Sequence, residues 1–569
     1  MNVRGFLYSQ IGYDLGDPAW AVIRGTKSDD VPEGSTFTVY EIGGDAQADV
    51  LSGPVVYWGE TWNSHWWTVD ISAIERAGEY EVVVFSPRGD ELHRSESIRV
   101  DDHLLWAETV IPIAVEQMEE RQRLARNGIG WKDCGADWRE ANSHATTVIA
   151  LCQLAEMGAS WLDRETVGRI YAQIIHGCTY LGILQDAGRQ TGAPTGAVVH
   201  EIPNHMDIIP GDSAQASVAF GYAARLLADS DPEHAADYSA RATRVMDYLL
   251  TEAEPHDPDG FSPLNHGVPE DFRVPCEFMT RDIAMMMWGC VQLWLGGHTR
   301  YKRHAVRLAR EVMARQVPKT RAEGGTHGDP ELWGHFYTFD STDVTEKANT
   351  HHHFGHDTGA TWPHFIAPLV EMARWFHDHP DRPRWIECVR NFARGYLIPA
   401  CSANPFYLLP IGYFRGAGLM SFCGPWHGFN TTLGFGAALA VACESVVEAE
   451  EQTTLRRIAV GNLQWMCGLN AGITSRSFEG CTGWSAKIPE RAAVPYSQIH
   501  GVGRRWTGNW TGIRGTIPNG FCVNPQFQLV VPAGKEADEP LRYTDEDWIP
   551  HGAGFLSGLV ALRDKRRFG

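Results

Sequence analysis

The first hundred residues carry the hydrophobic pattern of an antiparallel β-structure. Short apolar runs rich in Val, Trp, Tyr and Phe recur at roughly ten- to fifteen-residue intervals, as the strands of a small sandwich do. Gly, Asp and Pro separate the runs, for example at 43–45 and 87–90. We therefore predict an immunoglobulin-like β-sandwich over residues 1–103, with strands at 20–23, 36–40, 55–58, 66–70 and 80–85.

From about residue 104 onward the apolar positions recur every three to four residues, which indicates helices. Consecutive helices are close enough to pair as hairpins, and six hairpins would close into an all-α (α/α)6 toroid spanning residues 104–569. Two long connections, 317–357 and 468–551, are rich in aromatic residues, His and Gly, and loops of that length are usually functional. The predicted helices are 105–124, 142–157, 165–185, 212–229, 233–252, 280–296, 299–316, 358–378, 382–399, 428–448, 452–467 and 552–564.

The composition narrows the class of partner. The chain carries a formal charge of −21, which argues against nucleic acid or an anionic membrane as its main partner. Its 21 Trp residues favour a carbohydrate ligand, because indole rings stack on the apolar faces of sugars. No stretch approaches eighteen uninterrupted apolar residues, so we expect no membrane-spanning segment.

The cysteines and the N-terminal residues indicate the cellular compartment of the protein. The twelve Cys residues are scattered, mostly within apolar helical patterns such as those around Cys152 and Cys443, and form no paired CxxC spacing. Residues 1–8 show no charged leader followed by an apolar core. These features predict a cytoplasmic protein with reduced thiols. A chain from which a leader had been removed would instead be secreted.

Three consecutive carboxylates, Asp545, Glu546 and Asp547, shortly precede the apolar run of the last predicted helix. Acidic residues ahead of a helix commonly stabilise the positive end of its dipole, so one interpretation of this run is a helix cap. A second acidic pair, Asp133 and Asp137, lies roughly four hundred residues upstream, ahead of another predicted helix. Hydrolysis of a glycosidic bond needs one carboxyl group as acid and another as base, which makes catalysis the alternative interpretation.

The upstream pair lies on a glycine-flanked turn. Two Asp side chains four residues apart on such a turn can both point at one water molecule. Their mutual repulsion would raise the pKa of one, while the other stays ionised as a base. A helix cap formed by Asp137 or Ser143 is the structural alternative.

Further segments with distinct motifs are spread along nearly the whole chain. They lie at 8–13, 67–72, 77–82, 130–137, 210–220, 465–470, 475–478 and 515–520. In addition, Glu546 lies six residues before the pair Gly552-Ala553. In this order the segments resemble glycoside hydrolase family 9, in the subgroup with an immunoglobulin-like domain before an (α/α)6 barrel. The chain departs from the family pattern at Ala136, which sets the two Asp residues four positions apart rather than three, and at Asp545, where the family usually has Asn.

The resemblance implies an inverting glycoside hydrolase. Glu546 would be the general acid that protonates the leaving oxygen, and Asp133 and Asp137 would hold and deprotonate the attacking water. Either Asp could be the base, and Asp137 is favoured. Inversion predicts that the acid and base carboxyl groups lie about 6.5–9.5 Å apart, whereas about 5 Å would imply retention.

Residues expected to contact sugar combine aromatic rings with hydrogen-bonding side chains. They are Trp131, Trp138, His353, His356, Trp426, His427, His500 and Arg504. The His cluster at 351–356 also has the density of a zinc site, but no HxxxH or HExxH pattern on a helix supports that interpretation. We therefore expect no cofactor. The resemblance implies a structural calcium ion, yet no dense Asp or Asn ligand loop can be assigned to it.

The expected substrate is an oligosaccharide or polysaccharide, and the His-rich loops together with the lack of a leader favour exo-action on short oligosaccharides. Two other functions fit the sequence. A polysaccharide lyase on the same toroid would use His353, His500 or Tyr496 as base and acid, with Arg504 or Arg505 neutralising a uronate carboxylate. A glycan-binding protein without catalysis is the other alternative. An oligomer is compatible with the sequence.

Overall fold

The computed structural model shows a β-sandwich followed by a ring of helices. It describes residues 5–43, 49–62, 64–135, 138–158, 160–203, 206–255, 277–319, 332–336, 366–410, 412–413, 420–421, 429–470, 495–520 and 546–563. The predicted fold class, an immunoglobulin-like sandwich before an (α/α)6 toroid, is confirmed.

Two sheets form the N-terminal sandwich. Its strands are β1 (Phe6–Leu7), β2 (Tyr13–Asp14), β3 (Trp20–Gly25), β4 (Thr36–Glu41), β5 (Asp49–Pro54), β6 (Val56–Thr61), β7 (Ser64–Asp70), β8 (Gly78–Phe85), β9 (Glu91–Arg94) and β10 (Ile98–Asp101). One sheet has the order β1-β3-β7-β6, and the other has the order β2-β10-β8-β4-β5 with β9 beside β8. Alternate side chains such as Val39, Val69 and Val84 are fully buried and form one core from both sheets.

The five predicted strands are present, and the sandwich contains others that the hydrophobic pattern did not predict. Strand β5 is an edge strand without a buried residue, so it lacks the alternation on which the prediction depends. The expected antiparallel pairing holds except between β2 and β10, which run parallel with Val100 opposite Tyr13. This pairing joins the first strands of the chain to the strand that leads into the helices.

Each predicted helical segment contains a helix. The helices are α1 (Leu104–Ile111), α2 (Gln117–Leu124), α3 (Ala141–Gly158), α4 (Arg164–Gln190), α5 (Pro210–Leu227), α6 (Pro232–Thr251), α7 (Thr280–Leu295), α8 (Tyr301–Ala314), α9 (Ala367–Trp375), α10 (Arg382–Phe392), α11 (Ile398–Ser402), α12 (Phe429–Glu444), α13 (Ala449–Met466) and α14 (Ile549–Arg563). Helices α1 and α2 continue through a π-helical turn, Pro112–Glu116. The wider turn accommodates Pro112, which has no N–H to donate.

Six of these helices close into an inner ring. Helices α3, α5, α7, α9, α12 and α14 pack in that order, and α14 packs against α3 to complete the circle. Nearly all residues of α5, α12 and α14 are buried. Outer helices such as α6 and α8 bury only one face, as expected of helices at a surface. The loops that lead into the inner helices therefore meet at one end of the toroid.

The last helix begins at Ile549 rather than at the predicted residue 552. Pro550 is tolerated in the first turn of a helix, where its missing N–H would have no partner in any case. The earlier start puts Glu546 three residues before α14 and His551 inside its first turn. This shift matters for the site described below.

The sandwich is joined to the helices by direct contacts. The indole of Trp20 donates to the carbonyl of Pro405, and the ring of Trp62 stacks on Phe406 with ring centroids 5.9 Å apart. An ion pair links Arg456 to Asp17 at 2.7 Å. No described helix is long and apolar enough to cross a membrane. Cys152 and Cys443 are buried thiols in α3 and α12, in accordance with their apolar helical patterns.

Candidate active site

Backbone hydrogen bonds connect the loops at the end of the toroid where the inner helices begin. The N–H of Ala141, at the start of α3, donates to the carbonyl of His200 at 2.8 Å, in the loop before α5. The N–H of Ile549, at the start of α14, donates to the carbonyl of Asp133 at 2.8 Å. The segments that contain Asp133 and Glu546 are therefore neighbours, although they are far apart in the chain.

Asp133 is a buried carboxyl group among other carboxyl groups. It has no exposed surface, and its Oδ2 accepts hydrogen bonds from the N–H of Glu140 at 3.0 Å and the hydroxyl of Ser143 at 3.3 Å. Its Oδ1 is buried and has no hydrogen-bond partner among the described residues. The pKa of Asp133 is raised to about 7, chiefly by burial and in part by the negative charges of Glu201 and Glu546. This side chain can therefore exchange a proton near neutral pH.

Glu546 is held by Asn519 through both its backbone and its side chain. The N–H of Asn519 donates to the carbonyl of Glu546 at 2.7 Å, and its side-chain amide donates to Oε2 of Glu546 at 3.1 Å. Glu546 is half-buried, whereas Asn519 is almost completely buried. The carboxyl group thus combines a fixed orientation with a partly exposed position, as a group that exchanges protons with a ligand requires.

Asp547, the next residue, has a different environment. Its side chain is fully buried, lies 3.7 Å from the guanidinium of Arg121, and accepts hydrogen bonds from Thr511. Burial raises the pKa of Asp547, and the positive charge of Arg121 opposes that effect. We assign Asp547 a structural role, and Glu546 is then the described acid of this run that faces the site. Asp545 lies outside the described residues.

Glu201 belongs to the same cluster and was not predicted from the sequence. It is fully buried, and its charge acts on Asp133. The preceding residue, His200, is bonded through Nδ1 to Oδ2 of Asp212 at 2.7 Å, and its Nε2 lies 3.9 Å from Glu140. Its position in the sequence could have indicated a site residue, because Glu201 lies in the loop that leads into the inner helix α5.

Trp131 and Trp138 flank Asp133, but only Trp138 is partly exposed. Trp131 has no exposed surface; it stacks on His144 with ring centroids 5.1 Å apart and donates from Nε1 to Gln173 at 2.8 Å. It therefore packs as a core residue and presents no ring face to a sugar in this structure. The carbonyl of Trp138 accepts the N–H of Asp133 at 3.3 Å, so Trp138 helps to shape the turn.

His500 and Arg504 lie in the loop that follows residue 494. His500 is half-buried, and its Nδ1 is 3.0 Å from the carbonyl of Thr507. Arg504 instead faces the β-sandwich, where its Nη2 donates to the carbonyl of Ser97 at 2.7 Å and its Nη1 lies 3.9 Å from Glu96. In this structure Arg504 contributes to the interface between the two parts of the chain.

The other predicted site residues lie outside the described residues; they are Asp137, His353, His356, Trp426 and His427. The separation of the acid and base carboxyl groups therefore stays a prediction. Among the described residues, no group of three or more His, Cys, Asp or Glu side chains is placed to hold a metal ion.

Comparisons with known proteins relate this chain to others through its structure. No protein-family model matches the sequence, and no curated protein matches it. A metagenome-derived glycoside hydrolase family 9 endoglucanase aligns with a TM-score of 0.64 and 16% identity, covering 98% of this chain and 99% of that chain. A single-mutant thermostable endoglucanase from Alicyclobacillus acidocaldarius aligns with a TM-score of 0.61 and 14% identity, covering 99% and 100%.

A third solved structure is that of AaCel9A in complex with cellobiose-like isofagomine. It aligns with a TM-score of 0.62 and 14% identity, covering 98% of this chain and all of that chain. These structures share both parts of the chain in the same order. The chain therefore has the fold of family 9 endoglucanases, a sandwich followed by an (α/α)6 barrel.

Proposed function

We propose that this protein is an inverting glycoside hydrolase that cleaves glycosidic bonds in an oligosaccharide or polysaccharide. Glu546 is the general acid that protonates the leaving oxygen. A carboxylate of the turn 133–137 is the base that takes a proton from the attacking water. The observation that carries the proposal is the buried Asp133, poised near neutral pH by its surroundings and joined by a backbone hydrogen bond to the segment that presents Glu546.

The two carboxyl groups suit the two roles because their environments differ. Oδ2 of Asp133 is occupied by two donors, so Oδ1 is the oxygen that can accept a proton from water. A base with a pKa near the operating pH is the most effective, and Asp133 meets that condition. If Asp137 is the base, Asp133 holds the water beside it, and the pair still acts as one unit.

The first substrates to test are cello-oligosaccharides, because one structurally similar protein was solved with a cellobiose-like ligand. The test is proton NMR of the first products formed from cellopentaose and from a panel of other β-linked oligosaccharides. Inversion at a β-linkage releases the α-anomer first. Early release of the β-anomer would contradict inversion, and failure to cleave any glycan of the panel would contradict hydrolysis.

The role of Glu546 is tested with Glu546→Gln, which keeps the shape of the side chain and removes its acid. We expect a loss of about 10²–10⁴-fold in kcat on natural glycans, the usual contribution of general acid catalysis. The loss should be much smaller on an aryl glycoside whose leaving group needs no protonation. Equal losses on both substrates would remove Glu546 as the acid.

A lyase is less well supported by the arrangement of the arginines. The guanidinium of Arg505 is paired with Glu96, and that of Arg504 lies 3.9 Å from the same carboxylate, so both side chains are directed to the β-sandwich. A lyase would need such a cation beside the uronate of its substrate. Absorbance of an unsaturated product after digestion of a polyuronate would reverse this preference.

The mode of action is a further part of the proposal. Exo-action on short oligosaccharides predicts a single product length from the first turnovers, whereas endo-action predicts a ladder of lengths. Chromatography of early products from a long soluble glucan distinguishes the two. The loops on which the exo prediction depends lie largely outside the described residues.

A further inference from the structure

A chain of hydrogen bonds runs from the start of α12 to the carboxyl group of Glu546. The hydroxyl of Thr431 is bonded to Nδ1 of His551, and Nε2 of His551 lies 2.6 Å from Oδ1 of Asn519. The side-chain amide of Asn519 then donates to Oε2 of Glu546 at 3.1 Å. Three elements therefore contribute to the orientation of one carboxyl group, namely α12, the loop before residue 521, and α14.

While Glu546 is ionised, the hydrogen bonds from Thr431 to Glu546 have one consistent direction. Oδ1 of Asn519 can only accept, so Nε2 of His551 carries the proton, and Nδ1 accepts from the hydroxyl of Thr431. Reversing the amide of Asn519 would place its oxygen against an oxygen of the Glu546 carboxylate. Burial lowers the pKa of His551 to about 3, so its ring is neutral at physiological pH and keeps this tautomer.

The side chains linked by these hydrogen bonds are buried except for that of Glu546, which is partly exposed. Thr431 and His551 have no exposed surface, and Asn519 is 1% exposed, whereas Glu546 is half-buried. Burying polar side chains costs free energy unless each finds a partner. Here the partners lead in sequence to one partly exposed acid, which is a typical arrangement for a supported functional group.

The backbone around Asn519 is fixed on both sides. Its N–H donates to the carbonyl of Glu546 at 2.7 Å, and its own carbonyl accepts the N–H of Asn430 at 3.2 Å. The side chain of Asn430 also donates to the carbonyl of Pro518 at 2.7 Å. Gly520 follows with φ of +72°, and a Cβ at this position would lie 3.0 Å from the Asn430 amide. A rigid backbone of this kind can hold a side chain in one orientation.

We propose that Asn519, supported by His551 and Thr431, is a positioning residue that aims the general acid Glu546 at the leaving oxygen. This inference rests on the proposed function, because it needs Glu546 to act as the acid. Asn519 acts through the carboxyl group of Glu546, to which its amide donates.

Charged groups on several elements surround this acid and must be held constant in any test. Asp133 and Glu201 lie in the loops before α3 and α5, respectively. Asp547 directly follows Glu546 in the sequence and pairs with Arg121 on α2. None of these groups takes part in the series of hydrogen bonds that links Thr431, His551 and Asn519. A substitution of Asn519 by Ala leaves all of them in place.

The first measurement is the pH dependence of kcat for Asn519→Ala. We expect kcat to fall about 10- to 100-fold with KM little changed, as for a displaced catalytic group. The loss of activity at high pH should also move to higher pH, because the amide donor that favours the ionised acid is gone. Thr431→Ser should retain most of the activity, whereas Thr431→Val should share the defect.

Asn404→Ala is the matched control, because Asn404 is also fully buried and donates to the carbonyls of Cys401 and Leu408. It should lower the melting temperature as Asn519→Ala does without moving the pH profile. Carbon-13 NMR titration of the Glu546 carboxyl, assigned with Glu546→Gln, gives a readout independent of turnover. The midpoint should be higher in Asn519→Ala than in the wild type and unchanged in Asn404→Ala.

Two different outcomes would contradict the positioning role of Asn519 and the proposed hydrolase function, respectively. An active wild type whose Asn519→Ala variant keeps its kcat, pH profile and NMR midpoint would remove the positioning role and leave the hydrolase intact. A wild type that cleaves no glycan would remove the proposed function itself, and with it the acid that Asn519 positions.

Discussion

Asp133 and Asp547 are both aspartates without exposed surface, but their neighbours carry opposite charges. Asp547 lies against the guanidinium of Arg121, which compensates its charge. Asp133 lies in the field of two carboxylates, Glu201 and Glu546, which oppose its ionisation. Burial alone therefore does not mark a catalytic carboxyl group. Under the proposed function, the sign of the surrounding charge distinguishes the aspartate with a structural role from the candidate base.

The comparison also shows that the environment of Asp133 has a cost in stability. A buried carboxyl group that shares its site with two others favours its neutral form, so its ionisation at neutral pH destabilises the fold. Asp133 keeps this arrangement in the loop before α3, whereas the charge of Asp547 is compensated by Arg121. Four substitution and pH experiments test this distinction between the two aspartates.

The largest effect is expected from Asp133→Asn. The amide keeps the acceptor for Glu140 and Ser143 but cannot take a proton from water, so activity should fall about 10²–10⁴-fold. Asp547→Asn, measured per folded molecule, should retain activity within a few-fold. Steady-state kinetics with circular dichroism as the folding control provides the comparison. If both variants lost activity equally, the distinction between the two aspartates would be wrong.

Asp547→Asn should instead lower the free energy of unfolding by about 3 kcal/mol, because it leaves the buried charge of Arg121 without its partner. Replacing both residues, as Arg121→Met with Asp547→Leu, should recover part of the loss. Recovery will be incomplete because Arg121 also donates to the carbonyl of Lys132 at 2.8 Å. Urea denaturation measures all three proteins. An unchanged stability in Asp547→Asn would refute the structural role.

The stability of the wild type should depend on the ionisation of Asp133. Its pKa is raised from 3.8 to about 7, so the folded chain keeps a proton that the unfolded chain has lost. Its contribution is favourable at low pH and is lost as the pH rises through about 7. The stability of Asp133→Asn relative to the wild type should therefore increase by about 2 kcal/mol from pH 5 to pH 8. A pH-independent difference between the two proteins would argue against the raised pKa.

The smallest effect is expected from Glu201→Gln, which removes one of the charges that raise the pKa of Asp133. Activity that needs ionised Asp133 should then appear at lower pH, with the acidic limb of the pH–rate profile displaced by up to about one pH unit. Glu371→Gln is a suitable control, since Glu371 is bonded to Trp375 on helix α9. Displacement of the limb in both variants would point to a general change in charge rather than to the cluster.

Much of the fold could be predicted because it depends on local periodicity. The strands at 36–41 and 78–85 alternate buried and less buried residues, and the long helices repeat apolar positions at helical spacing. Strand β5 was missed because an exposed edge strand needs no alternation. The predicted start of α14 at residue 552 is three residues late, because Pro550 is accommodated in the first turn of the helix.

The candidate site was predicted only in part. Asp133 and Glu546 could be found because each lies in a motif that resembles one family. Glu201, Asn519 and His551 could not, because their importance comes from neighbours that are distant in the chain. The prediction for Trp131 relied on residue type, which does not report that its ring is enclosed by the core.

Local sequence patterns are sufficient to predict the sandwich, the helices and the position of one acid before the last helix. These features follow from the spacing of apolar residues and from turn chemistry, both of which act over a few residues. The folded structure is needed to show that Arg121 pairs with Asp547, that Asp133 lies among carboxylates, and that the Asn519 amide holds Glu546. Those distinctions depend on charge and hydrogen bonding through space, and closing the ring of helices brings the groups within reach of one another.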